Sequence, residues 1–282
     1  MSKLLKKQKT KPFLKWAGGK RQLLSQYDEY FPKDFNTFFE PFVGGGAVFF
    51  HFLPKKAHLN DVNKDLINAY KAIKNDLGEL TTILKELEED YLDKGKVARK
   101  KFFYSMRDRY NSLEKGDVER TALLFFLNKT CFNGMYRVNN SGGFNVPHGR
   151  YKNPTILDEK TLESVSSSLR NTKLTSVDFK KAVKNAKKGD FVYFDPPYDP
   201  VKKDSFTDYS KNGFDKEDQI RLRDTFAELD KKGCLVMLSN SYTDFIKDIY
   251  GEYRIETVQA GRSINSDADG RGKVKEVVIL NY

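Results

Sequence analysis

At 282 residues the chain can bury a full core, as one large domain or as a domain with a substantial insertion. Its 39% apolar and 13% aromatic residues exclude a disordered tail, and its formal net charge of +11 fits a polyanionic partner. No stretch is long and apolar enough to span a membrane. The start, MSKLLKKQKTK, has charge but no apolar run behind it, so it is expected to be a short basic arm and not a secretory signal.

The N-terminal third alternates strand and helix. Residues 38–41 are predicted as a first strand, feeding the turn Phe42-Val43-Gly44-Gly45-Gly46 and a helix from Ala47. Glycines there permit a tight turn and close approach of backbone to a ligand, so Phe42, Gly44 and Gly46 are candidate ligand contacts. The dinucleotide fingerprint needs a third glycine where Phe49 stands. Gly18-Gly19-Lys20 is not a P-loop, because Leu14 and Arg21 occupy two of its required positions. Residues 57–61 are predicted as a second strand. Asp61 at its end stands where doubly wound folds hold ribose hydroxyls. A nucleoside ligand without a pyrophosphate fits this combination.

A helix over 63–74 follows, and 76–129 is predicted to be largely helical. Leu77, Leu80, Ile83, Leu84 and Leu87 recur at helical spacing, as do Ala122, Leu123, Phe126 and Leu127. Glu86, Glu88, Glu89, Asp90 and Asp93 are expected on a solvated face. The segment 132–154 is turn-rich, with Arg137, Arg150 and Lys152 interleaved with Tyr136, Phe144 and Tyr151. Arginine is the commonest bidentate reader of guanine, and asparagine can read adenine. Lysines and Arg150 suit phosphates. Cys131 and Cys234 lie far apart with no CxxC, and both read as small buried hydrophobes. His51, His58 and His148 lack metal-ligand spacing, so no metal is expected.

A helix over 158–169 precedes renewed alternation. Strands are predicted at 174–177, 191–194 and 235–238, and helices at 179–186, 216–229 and from Thr243 onward. Two strand-like runs, near 253–259 and 274–280, flank the polar loop GRSINSDADGRGK. This order predicts an α/β fold: a doubly wound, mostly parallel, Rossmann-like sheet with helices on both faces. Residues 1–75 and 159–282 would form that domain, with 76–158 inserted as a helical one.

The stretch FVYFDPPY, residues 191–198, carries the chemistry. Two prolines have no N–H for a sheet ladder, so the strand must stop at Asp195 in a stiff, extended turn. Strand carboxyl ends in open α/β sheets are ligand sites. A carboxylate at Asp195 and a carbonyl at Pro196 can both accept from an exocyclic amine while Tyr198 stacks on the ring. Methylation at carbon-5 of cytosine would need a nucleophilic cysteine after proline; Cys131 follows Thr130 and Cys234 follows Gly233, which disfavours it.

In this region the chain resembles the Dam-type DNA adenine-N6 methyltransferases, closest to the group that modifies GATC. The resemblance rests on FLKWAGGKRQ, FEPFVGGG, NDVNKDLI, FNGMYRVNNSGGFNVPHGRYKNP, DFVYFDPPY and LSNS in that order. It implies a cytoplasmic, bacterial or phage-encoded enzyme, of the kind found in restriction–modification systems. Such an enzyme moves a methyl group from S-adenosylmethionine to adenine N6 in double-stranded DNA after flipping the base. Residues 1–75 and 159–282 would then bind the cofactor and 76–158 the target; a monomer is favoured. The resemblance implies that Trp16, Lys20, Asp61 and Asp195 line the cofactor pocket, with Asp178 and Phe179 beside its adenine. Lys15 would touch the first guanine, Phe132 would insert into the duplex and Asn133 would support the flipped geometry. Met135, Arg137 and Pro147 would read later bases. Phe132 replaces a tyrosine common in relatives, and Met135 a leucine found in some. Amino methylation of cytosine N4 or of an RNA base stays open on the residues alone, as does a DNA-binding protein without catalysis.

Overall fold

The computed structural model describes residues 10–201, 213–261 and 273–282. Most of the basic arm and of the loop GRSINSDADGRGK lies outside the described residues. Among those described, no helix is long and apolar enough to cross a membrane.

In chain order the elements are α1 (Leu24–Tyr27), β1 (Phe38–Glu40), α2 (Ala47–Phe52), β2 (Ala57–Asn60) and α3 (Lys64–Asn75). Next come α4 (Leu77–Leu92), α5 (Lys96–Ser112), α6 (Val118–Thr130) and a short 3₁₀ turn (Phe132–Gly134). They are followed by α7 (Glu159–Ser168), β3 (Thr172–Thr175), α8 (Phe179–Val183), β4 (Phe191–Phe194) and α9 (Lys216–Lys231). The chain ends with β5 (Leu235–Ser241), α10 (Asp244–Ile249), β6 (Arg254–Gly261) and β7 (Lys273–Leu280). The seven strands form one mixed sheet in the order β3-β2-β1-β4-β5-β7-β6. The β1–β2, β1–β4 and β4–β5 pairs are parallel, whereas β7 pairs antiparallel with β5 and β6. Strands β1, β2 and β4 are buried at every residue, as expected where both faces of a parallel sheet are covered. The α/β expectation is met.

Four local differences have physical causes. β3 ends at Thr175, two residues short of the expected run. The Asn60 side chain bonds both backbone groups of Val177, donating to its O at 3.0 Å and accepting from its N at 3.0 Å. β5 runs to Ser241, past its apolar stretch, because β7 pairs with Ser239, Asn240 and Ser241. α8 stops at Val183, and Ala186 N–H closes a turn onto Val183 O at 2.9 Å. Glu88, expected on a solvated face, is half-buried and accepts from the backbone N–H of Ile156 at 2.8 Å and of Leu157 at 3.2 Å.

By its contacts the chain divides into two compact units. The first comprises the described residues up to Gly19, Gly44–Leu53 and Asn63–Ser176; the second comprises Lys20–Val43, Pro54–Val62 and the described residues from Val177 onward. In the first, Phe13 packs edge-on against Tyr70 at 4.8 Å and stacks on Phe125 at 5.4 Å. In the second, Phe194, Phe226, Val236, Leu238, Val277 and Ile279 belong to one apolar core.

Candidate active site at the strand ends

In the second unit β1 and β4 are neighbours, yet the chain runs outward from β1 to β2 on one side and from β4 to β5 on the other. Their carboxyl ends therefore bound a switch point, where an open α/β sheet leaves room for a ligand. β4 delivers Asp195 to this point, and Pro196 and Pro197 end the ladder as expected.

Asp195 Oδ1 lies 2.9 Å from Lys20 Nζ, and Ser239 Oγ donates to the same oxygen at 2.9 Å. The Asp195 side chain is only 16% exposed. Burial raises its pKa above the usual aspartate value, and the Lys20 ammonium, the largest opposing influence, does not cancel that rise. Lys20 Nζ also sits 4.6 Å over the Tyr198 ring. Tyr198 donates its hydroxyl proton to Glu276 Oε2 at 2.7 Å. Burial, then the Asp195 charge, push the Tyr198 phenol well above its ordinary pKa, so it stays neutral.

The turn after Asp195 is pinned from β5 and α9. Asp199 N–H donates to Asn240 Oδ1 at 3.1 Å, and Ser241 Oγ donates to Asp199 O at 2.6 Å. Thr243 Oγ1 donates to Asp199 Oδ2 at 2.7 Å. Gln219 Nε2 donates to the carbonyl of Pro197 at 2.9 Å, not to that of Pro196. LSNS is thus a clamp: each of Ser239, Asn240 and Ser241 bonds the DPPYD segment.

The same unit carries other cofactor candidates. Half-buried Asp61 follows β2 directly, and the Asn60 side chain ties Pro41 O to Val177 beside it. Phe42 lies 5.5 Å from Phe179, 5.6 Å from Phe214 and 6.4 Å from Phe194. Asp178 caps α8 by accepting from Lys180 N at 3.0 Å and pairs with Arg221 at 2.8 Å. A carboxylate after one strand and an aromatic cluster after its neighbours suit a ribose and a planar base, so these residues fit an adenosine-bearing cofactor. Among the described residues no cluster of His, Cys, Asp or Glu could hold a metal ion.

In the first unit Trp16 stacks on Tyr136 with ring centroids 5.0 Å apart. The glycine turn lies against its edge: a Cβ on Gly44 would come within 3.3 Å of Trp16 Cδ1. Gly46 has φ +73°, and a Cβ there would meet Tyr70 Oη at 2.5 Å, so the turn requires glycine. Tyr136 donates to Asp65 Oδ2 at 3.0 Å, as does Tyr110 at 3.0 Å, while Arg120 Nε lies 3.5 Å from Asp65 Oδ1. Burial and then Asp65 push the Tyr136 phenol up to about 12.

The segment 132–154 also lies in this unit. Asn128 holds its start: its Oδ1 accepts from Lys15 N at 3.0 Å, and its Nδ2 donates to Lys15 O at 3.0 Å and Gly134 O at 2.9 Å. Gly134 has φ +64°, and a Cβ there would collide with the Lys15 side chain. Asn133 is left-handed at φ 55°, a conformation asparagine tolerates. Phe132 and Met135 are 53% and 44% exposed, so apolar surface faces solvent next to basic residues. Phe132 N–H bonds Pro147 O at 2.9 Å. Arg137 is exposed, and Asn145 Oδ1 holds its Nε at 2.7 Å. Lys15, Pro147, Arg150 and Lys152 are exposed as well.

Sequence reasoning missed Ser239, Tyr193 and Glu276 as site residues. Polar side chains interrupting the apolar β5 run were the available signal for Ser239. Glu276 carried none, because its place follows from the β5–β7 register.

Residues 16–264 match the profile of a family described as D12 class N6 adenine-specific DNA methyltransferase. The chain is 45% identical over 287 residues to Type II methyltransferase M1.LlaDCHI of Lactococcus lactis subsp. cremoris, covering 99% of each chain. It is 46% identical over 286 residues to Type II methyltransferase M.MjaIII of Methanocaldococcus jannaschii, covering 96% of this chain and 99% of the relative. It is 33% identical over 276 residues to a DNA adenine methylase of Haemophilus influenzae, covering 97% and 94%.

Proposed function

The chain belongs to the D12 class of N6 adenine-specific DNA methyltransferases, and from that premise we propose that its target is the adenine of GATC in duplex DNA, reached by base flipping. The established part is an enzyme that uses S-adenosylmethionine to methylate adenine in DNA. GATC comes from the resemblance in 132–154. Flipping follows from the chemistry, because N6 inside a duplex is out of an enzyme's reach.

The observation that carries the reading is Asp195, gripped on Oδ1 by Lys20 and Ser239 at the end of β4. S-adenosylmethionine, when bound, supplies a methyl group on a positively charged sulfur. We assign Lys20, Phe42, Asp61, Asp178, Phe179 and Asp195 of the second unit to holding it. Trp16 of the first is assigned likewise by the resemblance, and Gly44 and Gly46 by their place in the glycine turn. The exocyclic amine of adenine is a poor nucleophile. Asp195 and the Pro196 carbonyl accept hydrogen bonds from its two N–H groups, turn its lone pair outward, and the Asp195 carboxylate stabilises the positive charge the nitrogen gains in the transition state. Tyr198 stacks on the base. The segment 76–158, joined by Lys15, recognises the target: Lys15, Phe132, Asn133, Met135, Arg137 and Pro147 meet bases, and Arg150 and Lys152 meet phosphates.

The test is methylation in a host lacking adenine methylation, read with nucleases sensitive to modified GATC, followed by duplexes altered one base pair at a time. Protection of GATC alone is expected. Arg137→Ala should lose about 1–3 kcal/mol at one base pair only. A wild-type preference for a site without GATC removes the specificity, and an equal loss on every duplex makes Arg137 a positioning contact.

A further inference from the structure

Ser239 lies fully buried on β5, with three oxygens near its hydroxyl. Asp195 Oδ1 is at 2.9 Å, Tyr193 Oη at 2.9 Å and Phe194 O at 3.4 Å. A serine hydroxyl has one proton, and an ionised carboxylate can only accept. Ser239 therefore donates to Asp195, and Tyr193 must donate to Ser239. Burial keeps the Tyr193 phenol far above its ordinary pKa, so that proton is always present. Lys20 and Ser239 both grip Oδ1, so Oδ2 takes neither of these contacts.

We propose that Ser239 is a positioning residue for methyl transfer: its hydroxyl, oriented by Tyr193, fixes Asp195 through Oδ1 so that Oδ2 is presented to the adenine amine. This rests on the reading of Asp195 given above. The carboxylate cannot rotate to bring Oδ1 to the substrate without breaking two charge-assisted contacts in a desolvated site. The groups facing Asp195 are Lys20 ahead of α1, Tyr27 on α1, Tyr193 on β4, Tyr198 in the turn and Ser239 on β5, while Glu276 on β7 faces Tyr27 and Tyr198. Lys20 favours the carboxylate by charge and by hydrogen bonding, and Ser239 and Tyr198 favour it by hydrogen bonding.

The experiment is a single-turnover methylation profile against pH for wild type, Ser239→Ala, Ser239→Thr, Tyr193→Phe and Asp195→Asn. Thermal melting and S-adenosylmethionine affinity are measured alongside. Ser239→Ala should slow the step about tenfold or more at neutral pH with DNA affinity unchanged, the size expected for one hydrogen bond to a charged group. Its acid limb should move to higher pH, because the carboxylate loses a donor. Ser239→Thr should recover most of the rate. Tyr193→Phe should move the limb the same way by a smaller amount, since Ser239 can then turn toward Phe194 O. A wild-type rate and limb in folded Ser239→Ala overturns the proposal, as does a slowing with the limb unmoved. Should Ser239→Ala fail to fold, an unmoved limb in Tyr193→Phe overturns it. Full turnover by Asp195→Asn instead sinks the reading of Asp195 itself.

Discussion

Asp65 and Asp195 are two inward-facing carboxylates, each beside a cation and tyrosines, and they are built to opposite ends. Asp65, in the first unit, commits both oxygens: Oδ1 faces Arg120, and Oδ2 accepts from Tyr110 and Tyr136. Arg120 in turn donates to the backbone carbonyls of Tyr110 and Leu113. Asp195, in the second unit, is held by one edge, with Lys20 and Ser239 sharing Oδ1. A carboxylate that serves the fold is saturated by its own protein. On the proposed reading, the carboxylate that serves the reaction is desolvated, and its Oδ2 is clear of the Lys20 and Ser239 contacts.

The sharpest break in that comparison comes from Asp195→Asn. It keeps the shape but removes the negative charge that, on the proposed reading, stabilises the amine, so turnover should fall on the order of 10³-fold. The melting temperature should change less than for Asp65→Ala, because losing a desolvated charge offsets leaving the Lys20 ammonium without its partner. The wild-type rate should fall on acidification at a pH above the ordinary aspartate value of about 3.9. Raised pKa in the fold means that the folded state binds more protons than the unfolded chain between the two pKa values. Stability therefore falls as pH rises through that window and is level above it. A rate profile flat down to ordinary aspartate pH would mean that Asp195 is not the titrating acid.

Asp65→Ala should do the reverse. It strands a buried guanidinium, and breaking such a pair costs about 3 kcal/mol of stability. Methylation per folded molecule should stay within a few-fold of wild type. Chemical denaturation together with active-site titration separates the two effects. A stable but inactive Asp65→Ala would erase the contrast with Asp195.

The sequence makes one half of this contrast readable. An apolar run followed by Asp195 and two prolines ends a strand by covalent geometry alone, so the place of the carboxylate follows from local rules. The glycine turn after β1 is readable for the same reason, because Gly46 needs a left-handed backbone beside Tyr70 and Phe50. What holds Asp195 is not local. Ser239 arrives from the neighbouring strand and Lys20 from ahead of α1. Glu276 reaches Tyr198 only because β7 pairs antiparallel with β5. Asp65 looks like an ordinary first-turn helix acid, and its three partners come from α5, α6 and the turn-rich segment. Polar contacts between distant elements leave no periodicity in a sequence.

The smallest expected effect tests how Asp65 reaches beyond the fold. It clamps the hydroxyl of Tyr136, whose ring stacks on Trp16. The chain has one tryptophan, so emission excited at the red edge reports Trp16 alone. Tyr136→Phe keeps the stack and drops one hydrogen bond; emission should hardly change while stability falls by about 1 kcal/mol. Tyr136→Leu removes the ring, so emission should shift. If Trp16 forms part of the cofactor wall, S-adenosylmethionine affinity should then fall by roughly threefold to tenfold, matching about 0.5–1.5 kcal/mol for an aromatic pair. Titration calorimetry with the cofactor decides it. A shifted emission with wild-type affinity would place Trp16 outside the cofactor wall and confine the Asp65 cluster to stabilising its own unit.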